Sequence, residues 1–169
     1  MSALFTKILQ ISFLLLLPLL FVFPEQTAAQ DCRYWHKIVG VKHIKTAPQV
    51  DESDPRQMIE GIACLLQLED DYSKGTYSGA THFAVSQELP QATVNVTVLY
   101  YISRLFEQSA SYANGVVLVG EDGRWNSKST IKTAYMSYRK WFEVVRKIGI
   151  EEARRRKLDP LEGMNVRWY

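Results

Sequence analysis

The chain has 169 residues, a formal net charge of +2, two cysteines and three histidines. A length of this order predicts a single globular domain, and so small a net charge gives no reason to expect a nucleic-acid partner. Neither cysteine forms a C-x-x-C pair and the histidines follow no familiar zinc spacing. We therefore expect no metal ion and no other cofactor.

The first 29 residues have the pattern of a secretory signal peptide. An apolar run covers residues 8–23, and Thr27 and Ala29 supply the small side chains that signal peptidase requires before its cleavage site. The alternative is a membrane anchor, but the run is shorter than the roughly 20 apolar residues that a spanning helix needs. We predict cleavage after the signal peptide, which leaves 30–169 as one exported helical domain without a stable membrane span.

Both cysteines, Cys32 and Cys64, lie in the part of the chain that is predicted to be exported. In an oxidising compartment an even cysteine count favours a disulfide. This disulfide would attach the otherwise irregular start of the mature chain to the first helix. A catalytic thiol is disfavoured for Cys64, because this residue falls deep inside a helical pattern and away from the helix N-terminus that would stabilise a thiolate.

The clearest helix is predicted to begin at Pro55, which suits the first helical position, and Asp54 before it can cap the helix. Its apolar residues recur at intervals of three and four, which predicts one buried face. The residues of this face are Met58, Ile59, Ile62, Leu65 and Leu66. Residues 71–90 follow as a polar stretch that predicts a long loop, and such a loop is either functional or hides a short element.

The segment 92–107 fits a strand over its first part, because Val94, Val96 and Val98 alternate with other residues. Its later apolar residues recur at helical spacing, and its length suits a helix better. We therefore predict a helix, against the low helix propensity of β-branched residues. The segment 114–126 contains an Asp-Gly turn signal and predicts either a small hairpin or a turn alone.

The segment 135–145, YMSYRKWFEVV, is dense in aromatic residues. Ser127 or Ser129 can cap the helix that contains it, and apolar residues recur along this helix at intervals of three and four. Most charged side chains fall on the opposite side, so we predict a buried aromatic face and not an exposed recognition surface. The residues of this face are Ile131, Ala134, Tyr135, Tyr138, Trp141, Phe142, Val145 and Ile148.

Gly149 predicts the end of this helix or a bend in it, and a short basic helix is predicted over residues 150–158, with Asp159-Pro160 as its stop signal. The aromatic side chains of Trp168 and Tyr169 would be costly to leave in water, so we expect this end of the chain to pack back on the domain. The whole pattern predicts a mainly all-α domain of about four helices with a long loop and, at most, one short β-hairpin.

Two stretches, MIEGIACLLQLED at 58–70 and ATVNVTVLYYISRLFE at 92–107, resemble the paired helices of HEAT-type repeats. The resemblance rests on apolar spacing and covers less than half of the mature chain. It implies a helical scaffold that binds protein, and it carries over no functional residue.

One histidine, His82, lies in the predicted long loop near hydroxyl side chains such as Ser78. A Ser-His pair there could serve nucleophilic catalysis, although no G-x-S-x-G elbow exposes a serine, and polar loop surface is the simpler interpretation. Elsewhere, Asn95 begins an Asn-Val-Thr glycosylation sequon that lies within an apolar element.

Basic residues are concentrated in the last quarter of the chain, above all in the run 154–157. The simplest interpretation is a solvated helix face. The alternative is a docking patch for an acidic partner or an anionic surface, whose electrostatic attraction would mainly raise the association rate.

The function that this sequence favours is a non-enzymatic exported domain that binds a protein partner, such as a periplasmic inhibitor or immunity protein that blocks an enzyme with its long loop. The candidate binding residues are Tyr77, His82, Phe83, Arg154, Arg155 and Arg156. Two alternatives stay open, namely a small secreted hydrolase that uses His82 and a structural component of the cell envelope.

Overall fold

The computed structural model describes residues 31–77, 92–107 and 116–169. Within these ranges the chain forms five α-helices, a short 3-10 helix and a two-stranded antiparallel sheet, which confirms the prediction of a small, mainly helical domain. The elements are α1 Arg33–Ile38, α2 Pro55–Leu65, the 3-10 helix Leu66–Leu68, α3 Val94–Glu107, β1 Leu118–Val119, α4 Lys128–Ile148, α5 Ile150–Arg155 and β2 Arg167–Trp168.

None of the described helices is both long enough and apolar enough to cross a membrane. The predicted signal peptide lies outside the described residues, as does most of the predicted long loop.

The predicted disulfide joins Cys32 to Cys64, and the two Cα atoms are 5.3 Å apart. The segment that it attaches is not irregular as predicted, because residues 33–38 form α1 and bury Trp35. The Trp35 indole lies so close to Gly61 of α2 that a Cβ atom at this glycine would overlap the ring. The glycine that weakens α2 as an isolated helix is therefore the point where α1 packs against it.

The start of α2 is as predicted. The Asp54 side chain accepts a hydrogen bond from the Arg56 amide at 2.9 Å, and Pro55 occupies the first helical position. After α2 the chain tightens into the 3-10 helix, and Arg139 of α4 donates to the Leu66 carbonyl oxygen at 2.8 Å. A guanidinium group at this end of a helix satisfies a carbonyl that has no partner within the helix and interacts favourably with the helix dipole.

The central element is α3, which contacts α2, α4 and α5. It is buried on nearly every side, and Val94, Val96 and Val98 are all 0% exposed. A helix that is apolar all round has no clear stripe, which explains why its sequence also fits a strand. Burial of these side chains on folding offsets the side-chain entropy that β-branched residues lose in a helix.

The glycosylation sequon lies inside this fold. Asn95 is 0% exposed, its Nδ2 donates to the Glu69 carbonyl oxygen at 2.9 Å, and its Oδ1 accepts from the Val96 amide at 2.9 Å. Thr97 is also buried, and its hydroxyl donates to the Thr93 carbonyl oxygen at 3.1 Å. Both polar side chains of the sequon therefore bind backbone groups, at the start of α3 and, through Asn95 Nδ2, just after the 3-10 helix.

The longest helix, α4, is capped at its N-terminus by Ser127, whose hydroxyl oxygen accepts a hydrogen bond from the Thr130 amide at 3.2 Å. It ends at Gly149, whose φ of 86° lies in the region that favours glycine. The predicted aromatic face is confirmed from Ile131 to Val145, whose residues are buried, whereas Ile148 at the end of the face is only half-buried against the core. The following helix α5 covers residues 150–155 and is shorter than predicted.

The strands β1 and β2 form a short antiparallel ribbon, in which Leu118 pairs with Trp168 and Val119 pairs with Arg167. The last residues therefore pair with the domain as predicted and Trp168 packs against the core, but the Tyr169 side chain stays 66% exposed, contrary to the prediction. After β1 the chain turns through Gly123 and comes back along the other edge of β1, where Val119 and Trp125 form an isolated antiparallel β-bridge. Of the two predictions for this segment, the turn is the one that the structure shows, and the strand partner of β1 is the distant β2.

Candidate functional site

One side of the ribbon points away from the main core. The other side carries Leu118 and Trp168, and Trp168 donates from Nε1 to the Tyr138 hydroxyl at 3.1 Å. Side chains alternate between the two sides of a ribbon along each strand and pair directly across it. The residues next to Leu118 and Trp168 therefore lie on the side that points away from the core. We call this side the ribbon face, and its residues are Val117, Val119, Trp125, Arg167 and Tyr169.

The ribbon face has an apolar base and an aromatic surface. Val117 and Val119 are 1% and 6% exposed although they lie outside the main core cluster. Trp125 and Tyr169 stack on this face, with ring centroids 5.9 Å apart and ring planes 29° apart. These two side chains are 43% and 66% exposed. The ribbon face therefore presents two ordered aromatic rings to the solvent beside a buried apolar base.

Two arginines neighbour this aromatic pair in sequence, Arg124 next to Trp125 and Arg167 two residues before Tyr169. Arg124 donates to Asp122 from its amide at 3.0 Å and from Nε at 2.6 Å, and these hydrogen bonds lower the pKa of Asp122. Arg167 is exposed, and no carboxylate among the described residues forms an ion pair with it. Tryptophan, tyrosine and arginine are the residue types that contribute most binding energy at protein interfaces. The composition of this surface is thus typical of the centre of such an interface.

A concave feature lies between α3, α4 and the chain that follows α5, and we call it the helix pocket. It has a volume of about 340 Å³, and its apolar walls include Phe106, Trp141, Leu158 and Pro160. The Phe106 and Trp141 rings meet edge to face, with centroids 4.9 Å apart. A pocket of this size with apolar walls is within the range of small-molecule sites.

The polar wall of the helix pocket belongs to a buried hydrogen-bond chain. Ser103 Oγ lies 2.5 Å from Tyr138 Oη, which also accepts from Trp168 Nε1. Burial raises the pKa of Tyr138, whereas the hydrogen bonds from Ser103 and Trp168 act to lower it. The net direction is upward, so the phenol is neutral at physiological pH and joins α3, α4 and β2 as a structural link.

The predicted basic patch contains two different kinds of arginine. Arg155 and Arg156 are exposed, and both form ion pairs with Glu152. The side chain of Arg154 is only 14% exposed and donates to two carbonyl oxygens at the end of α3, at 2.6 and 2.9 Å. The prediction of a solvated face is therefore wrong for Arg154, which satisfies the last carbonyl groups of α3.

Replacing Arg154 with glutamine should lower the free energy of unfolding by about 2 to 3 kcal/mol, because two shielded carbonyl groups lose charged donors. Arg155→Gln is the matched control, since it removes an exposed arginine from the same helix and should change stability by less than about 0.5 kcal/mol. Denaturant titration of both variants measures the difference. Equal midpoints would mean that Arg154 contributes no more than a surface arginine does.

Tyr77 is a core residue in this structure and not a surface binding residue. It is 7% exposed, its hydroxyl donates to the Val116 carbonyl oxygen at 2.9 Å, and its ring meets Tyr100 edge to face. Burial also raises its pKa. His82 and Phe83 lie outside the described residues, so their part in binding stays a prediction, as does catalysis by His82.

A polar cluster that the sequence does not reveal joins the loop before α2 to α1 and α3. The Tyr34 and Tyr101 hydroxyls both donate to Glu52 Oε1, at 2.6 and 2.7 Å, and the Arg104 guanidinium lies over the Tyr101 ring. Burial, together with the hydrogen bond to Glu52, raises the pKa of Tyr34 to about 12 and also raises the pKa of Tyr101. Both phenols are thus protonated at neutral pH, and the cluster fixes the loop in place.

Within the described ranges, no group of three or more His, Cys, Asp or Glu side chains could hold a metal ion. His36 Nε2 lies 3.1 Å from the Cys64 carbonyl oxygen, and His43 is exposed. The acidic residues after α2 serve the local structure, since Glu69 pairs with Arg139 at 3.0 Å and Asp71 accepts from a nearby amide.

Trp125 and Tyr169 are distant in sequence, and only the pairing of β1 with β2 brings them together. The available signal is that both aromatic residues lie outside any helical pattern. The contact between α2 and α3 is common to many helix pairs, so the resemblance to HEAT-type repeats still rests on apolar spacing. No family model matches this chain, and no curated protein or solved structure is significantly similar to it.

Proposed function

We propose that this chain is an exported, non-enzymatic domain that binds another protein through the ribbon face. The observation that carries the proposal is the exposed stack of Trp125 and Tyr169 beside a buried apolar base. Aromatic anchors contribute most of the binding energy at protein interfaces and lose little side-chain entropy when a partner binds. Because the two rings already hold each other, their ordering costs little at the moment of association.

Export is part of the same proposal. The disulfide between Cys32 and Cys64 supports it, because disulfides persist mainly in oxidising compartments. The signal-peptide pattern over residues 1–29 supports it independently. More specifically, we propose an inhibitor or immunity-type role, since such proteins usually bind their targets with preformed surfaces.

The test compares the mature domain, residues 30–169, with a Trp125→Ala/Tyr169→Ala double variant. Each protein is immobilised and incubated with the exported fraction of the native organism, and retained proteins are quantified by mass spectrometry. Truncating two interface anchors should weaken partner binding by at least about thirtyfold, which corresponds to roughly 2 kcal/mol. We therefore expect the partner to be strongly depleted from the eluate of the double variant.

The matched control is Met136→Ala, which removes an apolar side chain that is 50% exposed on α4 and does not belong to the ribbon face. It should retain the partner as the parent does. Thermal melts check that all three proteins are folded under the assay conditions. Equal retention by the parent and the double variant would place the binding surface elsewhere, and a parent that retains no protein would contradict protein binding itself.

A further inference from the structure

Two hydrogen-bond donors at the helix pocket have no acceptor among the described residues. Trp141 is 7% exposed, and its indole Nε1–H is buried without a partner. Lys157 is exposed at the rim of the pocket, and no described carboxylate or carbonyl group binds its ammonium group. Buried polar groups without partners are rare in folded proteins and cost free energy. An unpaired donor in the wall of a pocket is therefore a feature that a ligand would explain.

The other polar groups of the helix pocket are already engaged. Ser103 is bonded to Tyr138, and the donors of Arg154 are directed to the end of α3 and to a carboxylate. Asp159 accepts from a backbone amide at 2.8 Å, and Glu107 also has an interaction partner. Trp141 Nε1 and Lys157 Nζ are the donors of this pocket that no described residue accepts from, and one of them is a cation. Their charge complement is an acceptor that carries a negative charge.

We propose that the helix pocket binds a small aromatic carboxylate. The ligand ring would pack against Phe106 and Trp141, whose edge-to-face arrangement is the geometry that aromatic groups prefer. The carboxylate would accept from Trp141 Nε1 and from Lys157 Nζ. Because the indole N–H is buried, side chains of the pocket lining must move as the ligand enters. This proposal does not depend on protein binding at the ribbon face, and either can fail without the other.

The probe is 2-naphthoate, a planar aromatic carboxylate, titrated into the mature domain that carries ¹⁵N label in its four tryptophans. Heteronuclear NMR resolves the four indole N–H signals, and that of Trp141 is assigned in the parent protein through its bonded side-chain atoms. We expect a saturable downfield shift of the Trp141 signal, because its N–H gains an acceptor. The signals of Trp35 and Trp125, which do not line the pocket, should stay within the noise.

Two analogues and two variants define the chemistry. The neutral 2-naphthylmethanol should bind about fivefold more weakly than 2-naphthoate, which corresponds to the roughly 1 kcal/mol of an exposed charge pair, and 2-naphthylmethylammonium should bind most weakly. Lys157→Gln should weaken 2-naphthoate binding by about fivefold and leave the neutral analogue unchanged. The matched control is Lys132→Gln, an exposed lysine of α4 that does not line the pocket, and it should leave both affinities unchanged.

Trp141→Phe keeps an aromatic ring and removes the donor, so it should also weaken 2-naphthoate binding, provided that its thermal melt shows a folded protein. If this variant does not fold, the Trp141 shift in the parent and the Lys157→Gln titration still decide the question. An unmoved Trp141 signal at saturating 2-naphthoate would overturn the proposal. A preference for the ammonium analogue would also overturn it, because the carboxylates at the rim would then determine the selectivity.

Discussion

Replacing Phe142 with alanine should lower the free energy of unfolding by about 3 to 5 kcal/mol, the usual range for truncation of a buried aromatic side chain. Phe142 is 5% exposed and belongs to the face of α4 that packs into the main core. Its loss leaves a cavity between α4 and its neighbours that the surrounding side chains fill only in part. A domain of this size has a total stability of about 5 to 15 kcal/mol, so the variant should melt at a much lower temperature or fail to fold.

The matched control for Phe142 is Val144, two residues further along α4. Its side chain is 45% exposed, and Val144→Ala also replaces a β-branched residue with a better helix former. Chemical denaturation should therefore show little change in stability, of about 0.5 kcal/mol or less. If Phe142→Ala also had the midpoint of the parent, the aromatic face of α4 would not be part of the core.

Removing the disulfide should cost nearly as much as truncating Phe142. The two cysteines are 32 residues apart in sequence, and closing a loop of this length is worth about 3 to 4 kcal/mol in the chain-entropy model. Cys32→Ala/Cys64→Ala should therefore shift the denaturant midpoint well below that of the oxidised parent. The helix α1 should be lost first, since it has only six residues and no side-chain cap at its N-terminus.

The reduced parent is the control for the disulfide experiment, because it removes the covalent link without changing residues. It should unfold close to the midpoint of the double variant, and amide hydrogen exchange should show fast exchange in α1 for both. Near-identical midpoints for the oxidised and reduced parent would contradict a stabilising link. Two free thiols in protein isolated from its native compartment would contradict the link itself.

Sequence patterns predict the helices that carry their own local signals. Asp54 with Pro55, Ser127 and Gly149 mark the helix ends that the structure shows. The short helix α1 has no such signal, because it is held by the disulfide and by the packing of Trp35 against Gly61. Contacts between distant segments stabilise such an element, so the local sequence does not predict it.

The candidate sites depend on contacts between distant residues more than the helices do. Arg154 and Arg155 are neighbours in a basic run, yet only Arg154 reaches the end of α3, because its position on α5 faces the core. Trp125 and Tyr169 meet only after β1 has paired with β2. Composition predicts that arginines and aromatic residues are present, but the fold decides which of them are exposed, and recognition depends on that exposure.

The position of Asn95 has a consequence for the cell that makes this protein. An oligosaccharide on its amide nitrogen would place a bulky hydrophilic group inside the helical core, where Nδ2 now binds the Glu69 carbonyl oxygen. Glycosyl transfer to the nascent chain would therefore compete directly with formation of α3, and a modified molecule could not reach this fold. A eukaryotic secretory pathway would divide the product into folded and misfolded fractions at this one sequon, whereas a host without oligosaccharyltransferase would produce a single species.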